Sequence, residues 1–285
     1  MQCCEKPLGY APYICYVNRR FHIAPTDTSQ KGNVLLCELS QHHVCLARAD
    51  EFSKKVTQLT YYELRNLPEP QKLHDIVRID ATEAGAYDRV VLSSAFKNNL
   101  LVPASQFAQD SAQHLYTSVY GNTIEKILFD EIPAYSLILV HALPQAYMDI
   151  LKSSPADAQH FFSTELKADV VSESNERLTV HFTSNEFFVT AIKNNQLKLA
   201  QAYFYTAPLD VVYYLLSICN EYGFSQTETA VTLSGLISED SSLYKELHQY
   251  FLNLHFWKPG AAQILQSEYP DHFFSSIHNL AACVL

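Results

Sequence analysis

The residues best equipped for chemistry are twelve histidines and seven cysteines in a chain of 285 residues. Their spacing limits what they can do. His42 and His43 are adjacent, and neighbours in a strand point to opposite faces, so the pair does not converge on one metal. No HExxH appears, and ordinary structural or surface histidines are expected. The cysteines are odd in number and include no CxxC. Cys3 and Cys4 are neighbours near the start, while Cys37, Cys45, Cys219 and Cys283 fall among apolar residues, where a reduced cysteine packs as a small hydrophobe. Nucleophile and phosphate motifs are missing too: only seven glycines occur, without a GxSxG, a Walker A loop or a GxGxxG. Asp210, near the start of a helical segment, suits the helix dipole better than a catalytic role. Trp257 beside Phe256 reads as packing, not as a stacking platform for a ligand.

These groups need elements to hold them, and the clearest run is residues 177–223. RLTVHFTS alternates with the two-residue period of a half-buried strand. NEFFVTAIKNN is denser, as expected of a strand covered on both faces. Asn194-Asn195 makes a tight turn, since Asn tolerates a left-handed backbone, and QLKLAQAYFY follows as a third strand. Pro208 opens a helix, Val211, Val212, Leu215, Leu216 and Cys219 form its apolar stripe, and Gly223 stops it.

The same order, three strands and then a helix, recurs earlier as NVLLCELS, HHVCLARAD and KKVTQLTYYEL, with a short helix at residues 74–79. RVVLSSAFKNNLLVP reads as a hairpin turning at Asn98-Asn99, and residues 104–120 have a helical period. EKILFDEI and AYSLILVHAL are strands, and Pro144 opens a helix. Residues 159–171 read as extended and as joining the second meander. AVTLSGLI is a strand, residues 241–252 a helix, LHFWKP a last strand and FFSSIHNLAACVL a packed terminal helix.

This length suits two domains of roughly 140 residues each. Hydrophobic residues make up 48% and aromatic residues 12% of the chain, which places it among globular proteins. No apolar run approaches the roughly 20 residues of a membrane span, and MQCCEKPLGYAPYICY lacks a signal-peptide pattern, so a cytoplasmic location is expected. The net charge of −10 is scattered, with no basic stripe to support nucleic-acid binding. The predicted division is an irregular extension over residues 1–32, a first domain over 33–153 and a second over 154–285. Two mixed α/β domains then face each other across a cleft. The meanders at 33–64 and 177–205 should share one topology, and the apolar residues of 251–285 should pack against the second domain.

AVTLSGLISEDSSLYKELHQYF resembles the adenosine-side segment of the actin and sugar-kinase superfamily: an apolar strand, a Gly-Gly turn, a Ser/Asp-rich loop and a helix. RLTVHFTSNEFFVTAIKNNQLKLAQAYFY resembles its second phosphate hairpin, and NVLLCELSQHHVCLARAD stands where the first belongs. From about residue 33 to 285 the chain is similar to an uncharacterised bacterial family, domain-of-unknown-function family 3822. The cues are LVHALPQAYMDIL, QLKLAQAYFYTAPLDVVYYLL, VTLSGLI and HFFSSIHNLAACVL. The resemblance implies an α/β fold of two similar actin-like (ribonuclease H-like) domains, each a mixed sheet starting with a three-strand meander and carrying flanking helices.

It also implies where a nucleotide would lie: Glu38 and Ser40 on the first hairpin, Ser184 on the second, Ser234 and Gly235 at the adenosine turn. Here the chain departs from the pattern. The superfamily's hairpins carry Asp-x-Gly, which lets backbone approach phosphate while the carboxylate holds Mg²⁺ through water. The first hairpin reads Glu38-Leu39-Ser40-Gln41-His42-His43 and the second Thr183-Ser184-Asn185-Glu186, neither with Gly; Ser234 replaces one Gly of the third loop. Glu38 either substitutes for the missing Asp or is a solvated carboxylate. ATP hydrolysis is not expected, and no cofactor is assigned, Mg-ATP being disfavoured. The expected function is a non-catalytic protein that binds a protein partner or peptide, by analogy with actin-like pilus-assembly proteins. The alternative is a nucleotide-binding protein or weak ATPase using Glu38, Ser234 and Gly235. A structural dimer is a third reading.

Overall fold

Two mixed sheets with one strand order carry the molecule. The computed structural model describes residues 17–24, 33–65, 69–84, 86–123, 125–168, 175–259 and 267–285. In the first sheet, β2 (Val34–Leu39), β3 (His43–Ala49) and β4 (Val56–Leu64) form an antiparallel meander. Helix α1 (Pro70–Ala84) returns the chain to β5 (Arg89–Ser94), which pairs parallel with β2, and the short β9 (Ala158–His160) adds beyond β5.

The second sheet repeats this with β10 (Glu176–Phe182), β11 (Glu186–Lys193) and β12 (Gln196–Phe204). After α5 (Pro208–Tyr222) comes β13 (Ala230–Gly235), parallel to β10, and after α6 (Ser242–Tyr250) comes β14 (Leu254–Phe256). The orders are β4-β3-β2-β5-β9 and β12-β11-β10-β13-β14, so the meanders share a topology as expected. The turn at Asn194-Asn195 has positive φ at both residues, and Gly223 caps α5 with φ +70.

Four segments differ from the sequence reading. Residues 17–23, inside the stretch read as irregular, form β1 (Val17–Ile23), antiparallel to β4 at the sheet edge and anchored by buried Phe21 and Ile23. Residues 1–16 and 25–32 lie outside the described residues. The supposed hairpin at residues 89–103 is split: β5 stays in the first sheet, whereas β6 (Asn99–Pro103) pairs with β8 (Leu137–Leu143) in a separate sheet of order β6-β8-β7, β7 being Lys126–Ile132. Helix α2 (Ala112–Tyr120) packs on this sheet, and α3 (Gln145–Leu151) follows it.

The third difference is at residues 159–171, where Phe161–Ala168 forms α4 and β9 joins the first sheet, not the second. The fourth is α7 (Ser275–Val284). Its Ile277, Leu280 and Ala281 pack with Val34, Leu36 and Ala47 of the first sheet, while Phe251 remains in the second sheet's core. Helices α4 and α7 pack on each other and lie between the sheets, since Phe161, Phe162 and Leu166 of α4 meet Phe188 and Ile192 of β11. The outer faces are closed by α1 and α3 on the first sheet and α5 and α6 on the second.

Candidate functional site

The hairpins that the sequence marks for phosphates face each other across α7. In the first, Ser40 Oγ accepts from the amides of His42 at 3.1 Å and His43 at 3.0 Å. With both lone pairs taken, its hydroxyl donates to His43 Nδ1 at 2.7 Å. That leaves His43 Nε2–H to donate to Glu38 Oε1 at 3.0 Å, and Ser276 of α7 donates to the same oxygen at 3.2 Å. The His43 ring stacks on Tyr61, centroids 5.2 Å apart. Burial drives the Glu38 carboxyl up, but the hydrogen bonds from His43 and Ser276 and the nearby His43 and His181 rings outweigh it and hold the group below its ordinary value. Glu38 is therefore a buried carboxylate held from two elements, not a solvated loop residue.

The second sheet supplies a matching row. His181 Nδ1 lies 3.0 Å from Ser234 Oγ on the neighbouring strand and 3.3 Å from Ser275 Oγ of α7. Burial holds the His181 imidazole down at about 4. Gly235 has φ +74, and a Cβ there would lie 2.1 Å from Phe182 O. Its glycine is required by the close backbone of β10. Ser184 stands apart: it is exposed at the hairpin tip and hydrogen-bonds with Arg20 and Glu63 on the outer strands of the first sheet.

Of the sequence-marked residues, Glu38 and Ser40 thus converge on His43, Ser234 converges on His181 beside Gly235, and Ser184 lies at the surface. Glu38, His43, His181 and Thr183 border one space, closed by Phe273, Phe274, Ser276 and Ile277. What remains is about the volume of one water molecule. That space is too small, as it stands, for a triphosphate; Glu38 Oε1 is engaged by His43 and Ser276, and Oε2 has no hydrogen-bond partner among the described residues. Among the described residues no group of three His, Cys, Asp or Glu is placed to hold a metal ion.

One arrangement escaped the sequence reading. Ser94 Oγ lies 3.0 Å from His141 Nδ1, and His141 Nε2 lies 3.6 Å from Asp130 Oδ2. This is the residue set of a hydrolytic triad, but Ser94 is 1% and His141 0% exposed. Asp130 Oδ2 also accepts from the His160 amide at 2.7 Å and Ser163 Oγ at 2.6 Å. The cluster ties β5, β7, β8 and α4 together and offers no approach to a substrate. Its members come from separate strands, so no local spacing announces it. Cys37, Cys45 and Cys219 are buried free thiols, as expected, with Cys283 half-buried. Asp210 accepts from the amides of Thr206 and Ala207 at the start of α5, and Trp257 stacks on His278 of α7, so both keep structural roles.

Among solved structures, a Bacteroides thetaiotaomicron protein with an actin-like ATPase fold and unknown function matches 90% of this chain and 98% of its own at a TM-score of 0.72 and 17% identity. The PilM–PilN type IV pilus biogenesis complex contains a chain matching 89% of this one and 99% of its own at a TM-score of 0.60 and 12% identity. Both similarities establish the actin-like fold. No curated protein matches the sequence significantly. The family DUF3822, described as a protein of unknown function, matches residues 23–254, and the chain belongs to that family.

Proposed function

We propose that this protein is a non-catalytic, cytoplasmic member of the actin-like fold that acts by binding a protein partner. The observation that carries this reading is the filled space between the hairpins. Glu38 is bonded to His43 and to Ser276 of α7, and His181 to Ser234 and Ser275, where a nucleotide would need backbone access. The fold it shares with PilM, in a complex with PilN, supports a binding role by analogy. In this reading the chain has two domains, residues 33–153 and 154–285, with β9 adding to the first sheet and α7 crossing back to it. Purification from the native host under cross-linking tests the partner: a stoichiometric protein companion is expected, and an isolated chain counts against it. Thermal melting with Mg-ATP tests the alternative. A bound nucleotide at a hundred times its Kd would raise Tm by roughly 5–10 °C. No shift is expected, and a shift of that size would replace this reading with a nucleotide-binding one.

A further inference from the structure

A second cavity lies beyond the hairpin tips, independent of the partner-binding reading. It offers about 120 Å³ to water-sized molecules, against about 10 Å³ in the space beside Glu38, and is bordered by the β2–β3 turn, the β5–β6 link, α2 and the first residue of β11. We propose that this cavity binds a protonated alkylamine, its ammonium held by Glu186 and Glu125 and its methylenes laid against Ala95, Phe96 and Ala142.

Glu186 is the keystone. It is 4% exposed, it borders the cavity, and its Oε2 has no hydrogen-bond partner among the described residues. A buried carboxylate oxygen left unpaired is costly and awaits a donor. Its backbone closes the hairpin turn with Thr183, the amide donating to Thr183 Oγ1 at 3.2 Å, so the main chain that carries it is fixed in place. Glu125 brings a second acid, and Gln41 and Asn98 bring amide oxygens. Among the described residues bordering the cavity the one cation is Lys97. Its Nζ lies 5.1 Å from the Phe204 ring centroid, where the ring face already receives its charge. Gln41, Asn98 and Tyr116 can each donate or accept, so the balance is set by two carboxylates against one ammonium, which suits a cation and not a phosphate. Among the described residues no group of three His, Cys, Asp or Glu converges here to hold a metal ion. The alanines and Phe96 give an apolar wall suited to a methylene chain, which the side chain of a lysine and a free polyamine both possess.

Calorimetry on the full chain near neutral pH decides the matter, using 1,5-diaminopentane, N-acetyl-lysine methylamide and, as the uncharged control, 1,5-pentanediol. At least one amine is expected to bind and the diol is not. Glu186→Gln and Glu125→Gln, each checked for an unchanged melting profile, should weaken amine binding by about tenfold or more. Preference for the lysine mimic would assign the ammonium to a partner's side chain; preference for the diamine would assign it to a small molecule. Absence of amine binding to the wild type, equal binding of the diol, or undiminished binding by the folded Gln variants would overturn the proposal. If Glu186→Gln does not fold, Glu125→Gln carries the test alone.

Discussion

Ser276, in the first turn of α7, donates its hydroxyl to Glu38 Oε1 across 3.2 Å. The last helix of the chain is thereby tied to the second strand of the first sheet, at the spot where the actin-like pattern has its Asp-x-Gly. Glu38 is 3% exposed and its Oε2 has no hydrogen-bond partner among the described residues, so each remaining donor matters. Ser276→Ala should lower stability by about 1–3 kcal/mol, read as a fall in the urea midpoint at constant slope. Ser184→Ala is the control. It removes a bond at the exposed hairpin tip beside the Arg20–Glu63 pair and should change stability by less than about 1 kcal/mol. Equal effects from the two would mean that the buried bond has no special weight.

Acid should loosen the same region. His181 and His160 are held down at about 4 and about 3 by burial, against 6.5 for a free imidazole. Both stay neutral in the folded chain while the unfolded chain takes up protons below pH 6.5. The unfolded state then binds more protons, so stability falls as pH drops from 6.5 toward 4, by about 1.4 kcal/mol per pH unit for each histidine. Glu38 acts lower down. Its carboxyl is depressed below 4.5, so its contribution is complete above that value and disappears as pH falls through the depressed one. Urea midpoints measured between pH 7 and 4.5 should decline throughout that interval, and His181→Asn should remove one histidine's share of the slope. A flat profile from pH 7 to 5 would contradict the neutral, buried state of these rings.

Gly235 gives a sharper test, because two readings assign it different roles. Its φ of +74, and the mere 2.1 Å that would separate an added methyl from Phe182 O, make any side chain there a clash with the backbone of β10. Gly235→Ala should cost more than the roughly 1 kcal/mol of left-handed strain alone and lower solubility or Tm markedly. A well-folded Gly235→Ala protein would show that β13 can move away from β10.

Period and turn chemistry made much of this fold readable. Both meanders, the Asn194-Asn195 turn and the Pro208 and Gly223 limits of α5 follow from alternation and local backbone preference. Helix α4 was not readable for a physical reason: Phe161 through Leu166 are all buried, the polar Ser163, Thr164 and Glu165 included, so residue type does not mark which side faces solvent. The Asn98-Asn99 signal misled because the same dipeptide serves a sheet-to-sheet crossover. At the site, the resemblance to actin-like hairpins, not local spacing, marked Glu38, Ser40, Ser184, Ser234 and Gly235, of which Ser184 lies at the surface. Their partners were not marked. His43 shares a hairpin with Glu38 and Ser40 and His181 pairs with Ser234 across adjacent strands, whereas Ser275 and Ser276 reach them only through the docking of α7, a long-range fact that no spacing encodes.

That docking yields the last prediction. Leu280 is 0% and Ile277 1% exposed, packed against Val34, Leu36 and Ala47 of the first sheet. Leu280→Ala deletes buried methyl groups at a position packed against the first sheet, on a helix braced by α4, where collapse around the void is hindered. The expected loss is about 2–5 kcal/mol, or a fall in Tm of about 2–4 °C for each kcal/mol. Leu252→Ala, at a residue 64% exposed, should stay within about 0.5 kcal/mol. Because α7 also carries Ser275 and Ser276, the Leu280→Ala chain should expose Glu38 and His181 together. Amide exchange at β2 and β10 should then accelerate in parallel. If only β2 exchanged faster, α7 would be an appendage of the first sheet, and the two histidine networks would be independent of each other.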